Sequence, residues 1–488
     1  MELKYKYIFS RLIVSSSVFI ACSASANIEK FQIMSDSELS NVSAQSLMSL
    51  SHIAPNDSAN LMSKHSSGSN VGFYKLGLEA DIDINANIKN LQLGCGGMNG
   101  DGKCDIDIQN LSLSGLPTSN DQSGSPVYSN GRASTSAKLT NPFVEFAIKN
   151  PNSASTREVV GLRLSAEQIT GLLSAGIENS SKPSQTDGIQ NMSGFMRVAQ
   201  TEGEATTQPT IFGKADNHKI SGLLSALGFE KTFTSAPSDA DTKGVTIPSM
   251  TTKFTIPEFQ VNGNRLDGAS ISGIETKISS IDLSQGPLNQ IKVTFPAMVT
   301  IFFVPIGTSA KIILAKGSAV NNLNMNITFN QALSMLHNIP LKGNGGYLSL
   351  QQESLLWPGS YISDEDRSAI QLNTMAKSDI SKRGWWMSFA EPVELGYLKA
   401  TDQVNIDAVL PQVATLMTAE LLKETNRVMA PAGSAILTVL GVPMTTPRPI
   451  IIDLNEATKT NPARLSLSNL KLANQEIRSN CYGGLLIC

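Results

Sequence analysis

Between Leu76 and Ile88 apolar and polar side chains alternate. Leu76, Leu78, Ala80, Ile82, Ile84, Ala86 and Ile88 fall on one parity, the period-two pattern of a half-buried strand. After Ile88 the parity flips: Lys89 and Asn90 intervene, and Leu91 and Leu93 carry on. The pattern restarts at Ile106 and Ile108, then flips across Gln109 and Asn110 to Leu111 and Leu113. This spacing predicts two long strands joined by a loop from Cys95 to Cys104. The flipping hexad at 88–93 recurs at 108–113, with counterparts at 278–283, 320–325 and 467–472. An extra residue that swaps the buried face is what a β-bulge does, and Asn tolerates the backbone conformation it needs. The hexads keep no fixed spacing, so they predict a recurrent structural device, not a solenoid repeat.

Further strands are predicted at 142–148, at 347–351, at 450–452, at 463–472 and repeatedly between 250 and 330, where 299–304 and 312–314 read as buried on both faces. Leu410, Val413, Met417, Leu421 and Val428 keep helical spacing, which predicts a helix over 409–429, closed by Pro431 and Gly433. A helical turn is expected at 332–337, a linker at 54–70 and a loop at 118–140. The octads at 169–176 and 220–227 resemble each other, through duplication or as two unrelated apolar turns. The expected fold is mainly β: long antiparallel strands with bulges, forming extended sheets or sandwiches, with minor helices. The chain divides on this reading into a signal peptide (1–26), an N-terminal segment and linker (27–70), a β-rich domain with the Cys95–Cys104 loop (71–250), and a second β-rich domain with the helix and a Cys481–Cys488 loop (251–488).

The N-terminus and the cysteine count predict export. Lys4, Lys6 and Arg11 precede a short apolar run at 12–21, and Ala24-Ser25-Ala26 supplies small residues for cleavage, the pattern of a secretory signal. Phe19-Ile-Ala-Cys22 is a second possibility, lipidation at Cys22. Cleavage after Ala26 leaves Cys95, Cys104, Cys481 and Cys488, an even count that favours disulfides in an exported chain. Local pairing is the simplest of three connectivities; a zinc site would want shorter Cys spacing and a nearby His. No other stretch has the length of a membrane helix, so no integral span is expected in the mature chain. A net charge of −3 implies no general attraction to nucleic acid. Uncharged Ser, Asn and Thr take positions that Lys and Glu often fill, as is common in extracellular β proteins.

Signatures of catalysis are missing. The sequence holds no Gly-x-Ser-x-Gly elbow, no P-loop and no His-Glu-x-x-His. Its four histidines, His52, His65, His218 and His337, lie far apart, with no pair at ligand spacing. Asn99, Asp101, Asp105 and Asp107 put oxygens at alternate positions in the Cys95 loop, as calcium loops do. An EF-hand match fails at Gly97 and Ile108, and a polar hairpin tip is the competing reading. Trp385 and Trp386 follow Lys382-Arg383-Gly384 and offer an aromatic surface for carbohydrate or a partner, or else core packing. Asp364-Glu-Asp-Arg367 reads as a solvated turn. No catalytic residue, metal or cofactor is expected.

The opening at 34–45 resembles the start of some exported bacterial envelope proteins. Leu336-His-Asn-Ile-Pro-Leu341, Leu356-Trp-Pro-Gly359, Gly384-Trp-Trp-Met387 and the ending at 478–488 resemble FilA, a pilus-system protein of Gram-negative bacteria. The resemblance spans nearly all of the mature chain and carries over no catalytic residue; Ala44 departs from the Gly usual in the opening pattern. It implies a surface-fibre or pilus-associated function, with other pilus or envelope proteins as partners, at the cell surface or in the periplasm. Some relatives are described as haem-utilisation proteins, a role that four scattered histidines do not support. The leading expectation is a structural or adhesive envelope protein without enzymatic activity. The alternative is a binding protein whose sheet-lined groove takes an apolar ligand, lipid or haem. A large internal cavity would favour the alternative, and unpaired sheet edges would favour the former.

Overall fold

Alternation along the chain becomes pairing across it. The computed structural model describes residues 48–480 except 65–69, 179–186, 214, 227–228, 237–243, 285–289, 296–298, 302–303, 307–308, 344–345, 368–369, 432 and 434–441. The expected signal peptide at 1–26, the lipidation candidate Cys22, the segment 27–47, Cys481 and Cys488 lie outside the described residues. The fold is mainly β with minor helices, as expected.

Twelve strands form the largest sheet: β1 (Met48–Ile53), β2 (Val71–Leu78), β3 (Asp81–Ile84), β4 (Ala86–Leu93), β5 (Ile106–Ser114), β6 (Ala137–Lys149), β7 (Glu158–Ser174), β8 (Gly188–Val198), β9 (Phe259–Leu266), β10 (Asn338–Gly343), β11 (Gly346–Gln351) and β12 (Gly384–Val393). Their order is β1-β2-β6-β7-β11-β12-β8-β5-β4, with β3 beside β6, β9 beside β8 and β10 beside β7. Among the described residues of this sheet, only β8 and β12 pair in parallel. β5 also pairs with the far end of β7, Ser112–Ser114 against Leu172–Ser174. β7, β11, β12, β8 and β5 therefore close a ring, and β6, β2 and β1 extend from it as an open wing ending on β1. The sheet draws β1–β8 from before residue 250 and β9–β12 from after it, so the strands do not partition at 250/251.

The hexads explain how strands this long keep one face apolar. Those at 88–93 and 108–113 pair with each other: Ile88 faces Leu111, Asn90 faces Gln109, Leu91 faces Ile108, and the Lys89–Asn110 rung is skipped. Those at 278–283 and 320–325 do the same, with Ile278 opposite Leu323 and Ile281 opposite Val320. At the skipped rungs Asn110 (φ 54°) and Asn322 (φ 57°) take the left-handed conformation that Asn tolerates better than most residues. Asn469 (φ 51°) does so at the end of the strand Ala463–Ser468. The expected extra residue is absent at these two pairs: both strands change face at one rung, so the register is unbroken and the apolar side chains stay aligned. A register shift does occur between Ile271 and Ile274, where Gly273 has φ 78°. Asn141 (φ 48°) repeats the device between β6 and β7, with its Nδ2 donating to Glu167 Oε2 at 2.9 Å.

The second half packs around the antiparallel pair Gly268–Asp282 and Ala319–Ala332, which the strands Ile451–Asp453 and Ala463–Ser468 join in parallel. The expected helix covers Leu410–Leu421 and buries Val413, Met417 and Leu421 in this core. It stops short of 429 because Val428–Ala430 pair instead with Leu224–Ala226, while Asn426 Nδ2 caps Glu420 O at 3.1 Å. The similar octads lie mostly on strands of different sheets. Two stretches read as linker or loop are packed. Asn60 is buried, donating to Ala54 O (2.9 Å) and Val71 O (2.8 Å). In 118–140, Arg132 is buried and donates to Ser114 Oγ (2.8 Å) and Ser174 Oγ (2.7 Å).

Candidate docking surface

Cross-strand register defines the two faces of the wing, since directly paired residues share a side. One rung runs Leu50, Leu76, Val144, Leu164, Leu348 and Met387 across β1, β2, β6, β7, β11 and β12. The next runs His52, Tyr74, Phe146, Leu162, Leu350 and Trp385. Neither contains an Asp, Glu, Lys or Arg. At the β12 end Leu348, Met387 and Trp385 pack against the core inside the ring. Toward β1 the same face opens: Leu164 is 44% exposed, Leu76 40% and Leu50 79%, with Met48, Phe146 and Val159 also exposed. His52 stacks on Tyr74 with ring centroids 5.6 Å apart.

The reverse face carries the polar groups, and its inner part is covered; toward β1, Ser51 stays exposed and Lys75 pairs with exposed Glu167 at 3.0 Å. Its middle rung reads Ser51, Lys75, Glu145, Arg163, Ser349 and Trp386. Leu355, Trp357, Ile362, Met375 and Ile380 from the segment between β11 and β12 lie over it, in one cluster with Phe73, Phe195 and Trp386. Arg163 and Glu145 form a buried ion pair, and the guanidinium sits 5.3 Å from the Tyr347 ring and 5.2 Å from that of Trp357. Burial pushes the Glu145 carboxyl up, against the pull of Arg163. Asp379 fastens the covering segment. Its Oδ1 accepts from Trp386 Nε1 (3.1 Å), and its Oδ2 from Ser388 Oγ (2.6 Å) and Tyr347 OH (2.8 Å). Burial raises the Asp379 carboxyl against these three donors. Burial first, then the Asp379 charge, holds the Tyr347 phenol well above its ordinary value.

The polarity is thus reversed from that of an ordinary half-solvated sheet, where the polar side faces water. An ion pair and an aspartate are sealed under the covering segment while a charge-free apolar surface stands open. Of the tryptophan pair, Trp386 is fully buried under the covering segment, and Trp385 lies on the opposite face, partly buried against the core inside the ring.

The Cys95 loop sets the start of β12. Cys95 and Cys104 form a disulfide. Asp105, buried, accepts from Asn99 Nδ2 (2.9 Å), Arg265 Nε (3.0 Å) and the Trp385 backbone N–H (3.1 Å). Asn99 Nδ2 also donates to Arg383 O at 2.8 Å. Gly384 (φ 102°) permits this approach, because a Cβ there would collide with Asn99 and Asp105. Asp107 accepts from Gln92 and Gln109, and Asp101 stands exposed. The alternating oxygens of Asn99, Asp101, Asp105 and Asp107 therefore do not converge, and Asp105 holds a guanidinium. Sequence reasoning missed Arg265, which lies 160 residues from Asp105 and takes a left-handed backbone (φ 51°).

No group of three or more His, Cys, Asp or Glu among the described residues could hold a metal ion. His52 is on the open face, His218 stacks on Phe212, and His337 Nδ1 lies 2.8 Å from Ala175 O. An apolar cavity lined by Phe212, Phe233, Val293, Met417 and Leu421 measures ≈30 Å³. That is far below the roughly 300 Å³ at which ligand pockets begin. A cleft of ≈550 Å³ between Gln190, Asp267, Asn330 and Asn469 is open and partly polar. Among the described residues no helix is long and apolar enough to cross a membrane. No family model, curated protein or solved structure matches the chain.

Proposed function

We propose that this chain is an exported, non-catalytic envelope protein, associated with a pilus or surface-fibre system, which works by docking a partner on the open face of its wing. The observation that carries the reading is the inverted polarity of the sheet. Leaving Leu50, Leu76 and Leu164 in water forgoes the roughly 25 cal/mol per Å² that burial of apolar surface contributes. Such patches mark interaction sites on soluble proteins. The basic and apolar N-terminus, the Cys95–Cys104 disulfide and the resemblance to FilA sequences support export and envelope association.

The test is made in cells. Leu76→Glu and Leu164→Glu place a charge on the open face, and Glu456→Lys serves as a remote exposed control. Each variant is followed by envelope fractionation and by recovery in native complexes. The two face variants are expected to leave the complexes while still being exported and oxidised. Unchanged recovery of both would defeat the proposal.

A further inference from the structure

We infer that the open face over β1, β2, β6 and β7 is closed by a second copy of this chain, packed face to face about a two-fold axis. The inference rests on the docking reading above and names its partner. Area is the first argument. Met48, Leu50, Leu76, Phe146, Val159 and Leu164 are between 37% and 79% exposed. They leave on the order of 500 Å² of apolar surface, at the upper end of what a monomer carries. Partly buried neighbours on the same rungs bring the patch toward the roughly 800 Å² per partner that a stable complex buries.

Charge is the second argument. A two-fold interface sets one patch against itself, so any charged side chain meets its own sign nearby. Both rungs are free of Asp, Glu, Lys and Arg, and the sheet keeps its Glu145–Arg163 pair on the other side. Geometry is the third. Stacked sheets lie about 10 Å apart with interdigitating side chains, which alternate Leu, Val and Phe positions supply. A lone docking strand would cover β1 and leave Leu164, three strands inward, in water.

Sedimentation velocity of the exported, disulfide-intact protein across the micromolar range tests this. The mass is expected to double with rising concentration. Leu76→Glu and Leu164→Glu should each raise the dimer dissociation constant by at least roughly thirtyfold, the effect of losing an interface hot spot. Fluorescence of an apolar dye on the unmutated protein gives a second reading, expected to fall per chain as dimer forms. A mass that stays monomeric overturns the inference, as does a dimer indifferent to both substitutions or dye uptake independent of concentration. A monomer whose envelope recovery still needs Leu76 and Leu164 overturns the second copy and leaves the docking reading standing. A dimer through this face whose envelope recovery ignores both substitutions supports the inference and defeats the docking reading in cells.

Discussion

Replacing Asn322 separates the backbone requirement of the face swap from the side chain that meets it. Asn322 holds φ 57° at the skipped rung between Ile278–Leu323 and Ile281–Val320, and its Nδ2 donates to both oxygens of Asp453 at 3.1 Å. An L residue without Asn's tolerance loses about 1–2 kcal/mol in the left-handed region, and a β-branched one stands at the upper end. An exposed hydrogen bond of this kind contributes roughly 0.5–1 kcal/mol. Asn322→Val forfeits both and should destabilise by about 2.5 kcal/mol. Asn322→Gly keeps the conformation and loses only the bond, at about 1 kcal/mol. Urea unfolding followed by circular dichroism gives the difference from midpoints at a common slope. If Val and Gly cost the same, the rung does not depend on a left-handed residue and the account of the hexads is wrong.

Three further outcomes follow from the buried polar groups. Burial raises the Asp379 carboxyl above its ordinary 3.8, so its contribution to stability is greatest when protonated and declines as pH rises through the window above 3.8. The stability of the native protein relative to Asp379→Asn should therefore fall from acid toward neutral pH in urea titrations; a constant difference would refute the assignment. Breaking Cys95–Cys104 with a paired Ser substitution should remove roughly 2–3 kcal/mol by loop entropy. A urea midpoint insensitive to the change would show that Asp105 and Arg265 alone pin the loop. Added calcium should leave the melting temperature unchanged, because Asp105 already accepts from Arg265, Asn99 and Trp385; a concentration-dependent rise would contradict that.

Local rules made half of this legible. Strands at 76–113 could be read because a half-buried strand repeats every two residues, and the flips at Asn110 and Asn322 because the parity breaks where Asn stands. That the hexads pair with one another could not be read, since 278–283 meets 320–325 through a contact no local pattern encodes. Asn141 escaped notice because Leu-Thr-Asn-Pro hides the same swap behind a proline. Helical spacing carried Val428 into the helix, but a strand partner at Leu224 outcompeted it. For the candidate site the obstacle differs in kind. An exposed leucine and a buried one are the same letter, so nothing in the chain marks Leu50, Leu76 and Leu164 as exposed. Pleating puts Trp385 and Trp386 on opposite faces, yet Asp379 and the segment over it decide which one turns inward.

The apolar face of the wing is expected to be covered when the protein is at work. A photo-crosslinking amino acid placed at Leu76, with a matched one at Glu456, tests it in intact cells. A discrete adduct is expected from position 76 and none from position 456. Unreacted chain at position 76, or equal labelling at both sites, would contradict it.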